Sequence, residues 1–171
     1  QSGSVLILAL LILVVLTILG VSSMSTTSLE EKMAGNFRDR QIAFNAAETA
    51  LAEAEAYIND SINSASVFTN SNGLYDSYDG PTQHDAFEDA WWTASNSIGQ
   101  SEAIDEVKTQ PRYTIEYRGD IGEAEGTSVN IGGYGETSGG GEITSFRITV
   151  RATGLTDNSV VFLQSYYGKR L

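Results

Sequence analysis

The sequence predicts an α+β chain: one long N-terminal α-helix, apolar then amphipathic, packed on a small antiparallel β-sheet domain. Three observations carry that prediction. Residues 5–21, VLILALLILVVLTILGV, are apolar apart from one Thr and one Gly, and no charge precedes Glu30. Leu29, Met33, Phe37, Phe44, Ala47, Leu51, Ala54, Ile58 and Ile62 then form a stripe whose later members fall at helical spacing. Further on, three segments rich in β-branched and aromatic residues are bounded by turn signals.

The helix comes first. Spanning a bilayer takes about 20 apolar residues; the 17 at positions 5–21 are extended by uncharged flanks on both sides. A cleaved secretory signal would have a basic n-region, which is absent here, so a retained anchor is expected. Neither Pro nor a cluster of turn residues separates the apolar half, residues 4–28, from the amphipathic half, residues 29–62. Gly20 and the Ser/Thr run at residues 22–28 weaken the helix locally, because Gly costs about 1 kcal/mol relative to Ala and hydroxyls compete for backbone bonds. Glu30, Glu31, Arg38 and Arg40 surround sign changes along the helix, a pattern of solvated faces that also suits inter-subunit pairing. The core stripe is expected to run through Phe37, Phe44, Leu51 and Ile58.

Residues 63–171 read as one small globular domain. Residues 59–80 suggest the helix end and a polar surface loop. Residues 82–97, TQHDAFEDAWWTASNS, suggest a short amphipathic helix capped by Thr82, with His84, the only His, at its start. Strands are expected at residues 112–118, 142–154 and 159–167, the last two joined by a turn at Thr156, Asp157 and Asn158. Between the first two lies a Gly-rich loop, with nine of the 17 Gly residues at positions 119–141 and a short hairpin expected at 127–131. Asp76 and Asp79 carry carboxylates suited to calcium, but DSYDG lacks the spacing and closing Glu of an EF-hand loop. No metal site and no cofactor are assigned.

Composition narrows the partners. The net charge is −12, with no charge in residues 1–29, −11 in residues 61–142 and +3 in residues 143–171. An acidic exterior argues against nucleic acid, which requires a basic face. The uneven charge suits neighbouring subunits meeting acidic to basic. There is no Cys, so no disulfide closes the C-terminal region.

The segments TSLEEKMAGN, RDR and AFNAAETAL, within residues 27–51, carry a family likeness, with a further likeness in FRITVRATG and SVVFLQSYYGKRL at the end. With the Gly3–Ser4 step before an unbroken apolar run, the sequence resembles the type IV pilin superfamily and, within it, the PilX-type minor pilins. The resemblance implies the type IV pilin fold. It places prepilin-peptidase cleavage between Gly3 and Ser4, making residues 1–3 a leader remnant and Ser4 the methylated N-terminus. Most of the superfamily has an acidic residue at the position occupied here by Leu8. The resemblance further implies a bacterial inner-membrane subunit that joins an extracellular pilus. Its implied partners are other pilin subunits, met through the N-terminal helix, with minor pilins and a tip adhesin beside them.

The expected function is structural: a minor pilin that primes or tips pilus assembly. The main shaft subunit of a pilus-like filament is the alternative. A membrane-tethered enzyme or binding domain is disfavoured, because the chain offers no convincing nucleophile–base arrangement. The tip pseudopilin of type II secretion shares the missing acid but carries a large extra helical domain for which there is no room.

Overall fold

In the computed structural model the structure describes residues 3–76, 88–121 and 143–171. Helix α1, Gly3–Ser61, is continuous through both halves, since nothing in it removes a backbone donor. The chain divides into two compact units, Gln1–Asp39 and Arg40–Leu171. The first is entirely helical over its described residues, with its apolar side chains exposed.

In the second unit, the remainder of α1 packs on a five-stranded sheet. The strands are β1 (Leu74–Tyr75), β2 (Ile98–Gly99), β3 (Arg112–Ile121), β4 (Ile143–Thr153) and β5 (Val160–Lys169). Their order is β1-β3-β4-β5, with β2 also on β3. The three long strands are antiparallel as expected, but β1 runs parallel to β3, so the sheet is mixed rather than purely antiparallel. That strand falls in the stretch expected to be loop. An Asn72–Gly73 turn launches it: Asn72 and Gly73 have φ of 55° and 84°, and Leu74 N–H donates to Ser71 O at 3.1 Å. A Cβ at position 73 would lie 2.8 Å from the backbone nitrogen of Ile98, so both the turn and the packing require Gly.

Strand alternation sorts the two faces of the sheet. Tyr113, Ile115, Phe146, Ile148, Val150, Ala152 and Val161 lie in the core with the helix. Thr114, Glu116, Arg147, Thr149 and Arg151 take the opposite face. Between Tyr117 and Asp120 the β3–β4 register shifts, and Gly119 at φ 91° supplies the irregular backbone there.

The helix buries only part of the stripe expected: Ala47, Ala54, Ile58 and Ile62 of it are in the core, and Leu29, Met33, Phe37 and Phe44 are exposed. Ala43, Ala46, Ala47, Ala50, Ala54 and Ile58 are buried, with Ile62 just past the helix end. Leu51 is half-buried against this core, whereas Phe44 is 38% exposed and Phe37 72% exposed. Small side chains rather than the large ones mark the buried face of this part of the helix. Small Ala side chains let the sheet approach the helix closely, and Tyr113, Phe146 and the Ile residues fill the space.

The expected helix at residues 82–97 also needs correction. Its first part, with Thr82 and His84, lies outside the described residues, as do the hairpin at 127–131 and most of the Gly-rich loop. The described part is a 3-10 turn, Asp89–Trp91, followed by turns through Ser97. Tertiary bonds take the carbonyls that a helix would use. Arg112 donates to Thr93 O and Ser97 O at 3.1 and 2.6 Å, and Asn96 Nδ2 donates to Trp91 O at 3.0 Å.

Candidate assembly interface

Over its first half the N-terminal helix presents an apolar surface that stays exposed among the described residues. Over residues 5–21 the large apolar side chains are between 44% (Val14) and 72% (Leu6) exposed. Length and composition make this stretch sufficient to cross a membrane. Exposure of so many consecutive apolar side chains far exceeds an ordinary soluble surface. Gly3, Ser4 and Leu8 lie in the first turns of α1, all exposed. Leu29, Met33 and Phe37 continue the apolar surface, at 59%, 55% and 72% exposure. Glu30, Glu31, Arg38 and Arg40 are exposed among them. Of the expected core positions on the same helix, Ile58 is buried and Leu51 is half-buried against the core, whereas Phe37 and Phe44 are exposed. Asp76 is exposed just after β1, its N–H donating to Asn70 Oδ1 at 2.8 Å, while Asp79 lies outside the described residues.

Two sets of polar contacts hold the globular end of the helix, and sequence reading missed both. The first closes its C-terminus. Lys169 Nζ, at the end of β5, donates to Ile58 O, Asn59 O and Ile62 O at 3.0, 2.8 and 2.6 Å. These are carbonyls at and just beyond a helix end, where the partial negative charge of the backbone favours a cation. Asn59 Nδ2 donates to Tyr167 Oη at 2.7 Å in the same place. The second lies mid-helix. Glu53 accepts from Ser101 N–H at 3.0 Å and Ser101 Oγ at 3.0 Å, and more weakly from Tyr113 Oη at 3.4 Å. Burial, reinforced by the Glu53 charge, pushes the Tyr113 phenol well above its ordinary range.

The opposite face of the sheet is polar yet largely covered. Glu116 is 1% exposed and accepts from both Nε and Nη2 of Arg147 across the β3–β4 ladder. A paired, hydrogen-bonded carboxylate meets the condition under which buried charge is tolerated. Arg151 reaches Asp89, and Arg112 reaches Ser97, fastening the turn that carries Trp91 and Trp92. Trp92 packs near Phe162 at 6.2 Å between ring centroids.

A helix apolar over its first half and packed on a small sheet over its second is the architecture of a type IV pilin. The chain matches the PilX N-terminal family over residues 2–52 and the family described as type IV pilus assembly protein PilX C-term over residues 39–169. It belongs to the PilX family of type IV pilus assembly proteins, the minor pilins. Comparison with curated proteins and with solved structures finds no significant match. Family membership also establishes that the chain works with other pilus components.

Proposed function

We propose that this minor pilin waits in the bacterial inner membrane, held by the apolar half of α1, and then primes or tips assembly of an extracellular pilus. One observation carries the storage step: the unbroken α1 exposes an apolar surface over residues 5–21 that water disfavours and lipid accepts. In the filament the same surface packs against neighbouring helices, with Glu30 and Glu31 of one subunit positioned to meet Arg38 and Arg40 of another. Minor pilins and a tip adhesin are its partners, and Gly3–Ser4 is the peptidase site that frees Ser4 for methylation. The role is mechanical rather than enzymatic.

Leu8 favours priming over the shaft. In pilins with an acid at this position, an unpaired carboxylate in an apolar filament core carries a severe desolvation cost. A subunit with Leu brings no such charge and needs no amine from a preceding subunit, which suits the first place in a filament. Leu8→Glu is therefore expected to lower the number of pili per cell while the subunit stays at its normal level in the membrane. Normal pilus number, with the wild-type chain distributed along the whole pilus, refutes priming and favours the shaft. Storage has its own test: Val14→Arg inserts at a cost of about 2.5–3.5 kcal/mol and should deplete the chain from the membrane fraction. Unchanged retention refutes anchoring by this segment.

A further inference from the structure

We propose that α1 carries a phospholipid site at its membrane boundary, where Lys32, Ser28 and Ser25 hold the phosphodiester of one lipid headgroup. The inference rests on the reading that residues 5–21 anchor the chain in a membrane, and it names what meets the helix just beyond them. Val21, Met24, Ser25, Ser28, Leu29 and Lys32 line a shallow groove along one side of the helix. All six are exposed. Val21, Ser25, Ser28 and Lys32 follow one another at steps of four, three and four residues, which stacks them on a single face.

Depth decides what this face meets. About 20 residues counted from Val5, at about 1.5 Å each, cross the roughly 30 Å hydrocarbon core and end at Met24. The headgroup layer adds about 5–8 Å on each side, room for the stretch from Ser25 to Ser28. Lys32 stands one turn further out, about 6 Å along the axis. Helical side chains lean towards the N-terminus, and a lysine stem follows apolar surface while its ammonium seeks polar groups. That lean carries the ammonium back to the level of Ser28 and Ser25, where lipid phosphates lie.

The groups on this face fit a phosphodiester. Lys32 is the first cation in the chain and makes no ion pair among the described residues. The positions one turn to either side of it, Ser28, Leu29, Gly35 and Asn36, are uncharged. Thr26 and Thr27 donate their hydroxyls within the helix, to Ser22 O and Ser23 O at 3.1 Å each. The Ser25 and Ser28 hydroxyls make no such bond among the described residues, which leaves them to donate to phosphate oxygens. Val21 and Met24, 68% and 78% exposed, continue the groove as apolar surface for the start of an acyl chain.

Neighbouring acids separate this site from a general attraction to lipid. Glu30 and Glu31 make the charged triplet with Lys32 net negative, so a diffuse pull towards an anionic surface does not account for it. At about 100° per residue Glu31 lies about 100° round the helix from Lys32, and Glu30 about 160°. The cation therefore has the groove to itself, and contact is limited to a phosphodiester seated on that one face.

The test uses the full-length chain reconstituted in vesicles of phosphatidylethanolamine and phosphatidylglycerol. After extraction into mild detergent, native mass spectrometry counts the phospholipid molecules retained per chain, and one is expected. Lys32→Gln should lower its occupancy about fivefold or more, whereas Lys32→Arg, which keeps the charge and the donors, should leave it within about twofold. Exchanging the pair, Glu31→Lys with Lys32→Glu, preserves the net charge but moves the cation off the face. Occupancy should then stay as low as in Lys32→Gln. Equal occupancy in the wild type and Lys32→Gln, no phospholipid retained by the wild type, or recovery in the exchanged chain overturns the site and leaves anchoring intact. A wild-type chain that fails to float with the vesicles overturns both.

Discussion

Replacing Lys169 with Met tests whether the last residue of the sheet holds the end of the long helix. The substitution keeps the length and apolar stem of the side chain while removing the ammonium that donates to three carbonyls at 3.0 Å or less. Hydrogen bonds to a charged group contribute about 1.5–3 kcal/mol each. A cation at a helix C-terminus contributes up to about 2 kcal/mol. These terms overlap, and Asn59, on the exposed side of the helix end, lets its carbonyl rehydrate once the ammonium is gone. The net loss should be roughly 2–3 kcal/mol, below the sum of the separate bonds. For a unit of this size that lowers the thermal midpoint by about 8–12 °C. The assay is tryptophan fluorescence of the full-length chain in detergent micelles, because Trp91 and Trp92 both belong to the globular unit. Arg170→Met, at an exposed neighbour, serves as the control. A fall under about 2 °C, or one equal to that of the control, would show that the carbonyls are equally well served by water and that the cap contributes nothing.

Two further outcomes follow from the core. Tyr113 is stabilised in its neutral form, so stability should be flat below the ordinary phenol pKa and fall as pH rises above about 10; chemical denaturation across that range should show the decline, and Tyr113→Phe should remove its part of it. Ile58→Ala should cost about 2–5 kcal/mol, whereas Phe44→Ala should cost under about 1 kcal/mol, in the same fluorescence melt; equal losses would mean that the helix turns the other way on the sheet.

The long strands were legible because each carries its own local signal. Tyr113, Ile115 and Tyr117 alternate with Arg112, Thr114 and Glu116, and the structure puts the first set with the helix and the second on the other face. The continuity of α1 was legible for the same reason: no Pro interrupts it. The buried face of the helix was harder, since Ala43, Ala46 and Ala50 have little hydrophobic weight and Phe37 and Phe44 have a great deal. The contact of Lys169 with Ile58 O joins residues 111 apart, and no local pattern marks it. β1 is two residues long, too short for alternation to appear, and its parallel pairing depends on where β3 already lies. Of the assembly interface, the apolar half was plain from composition, while the fastening of the helix to the sheet had to be seen in three dimensions.

The segregation of small and large residues around α1 links packing to assembly. A helix serving only a soluble core would be expected to turn its large apolar residues inward, where each contributes about 1.5–3 kcal/mol on burial. Here the inward stripe is chiefly Ala, ending in Ile58, and the volume of the core comes from the sheet. Phe44, on the same part of the helix, stays 38% exposed, and within the first unit Leu29, Met33 and Phe37 are exposed despite their cost in water. Enlarging the Ala stripe would push the sheet away, and shrinking the outward residues would leave the fold nearly unchanged. The two surfaces therefore answer to different partners: the first to the chain's own sheet, the second, under the proposed reading, to the helices beside it in the pilus. Under that reading, the division lets one helix be fixed to its sheet before assembly and still carry an unused apolar surface into it.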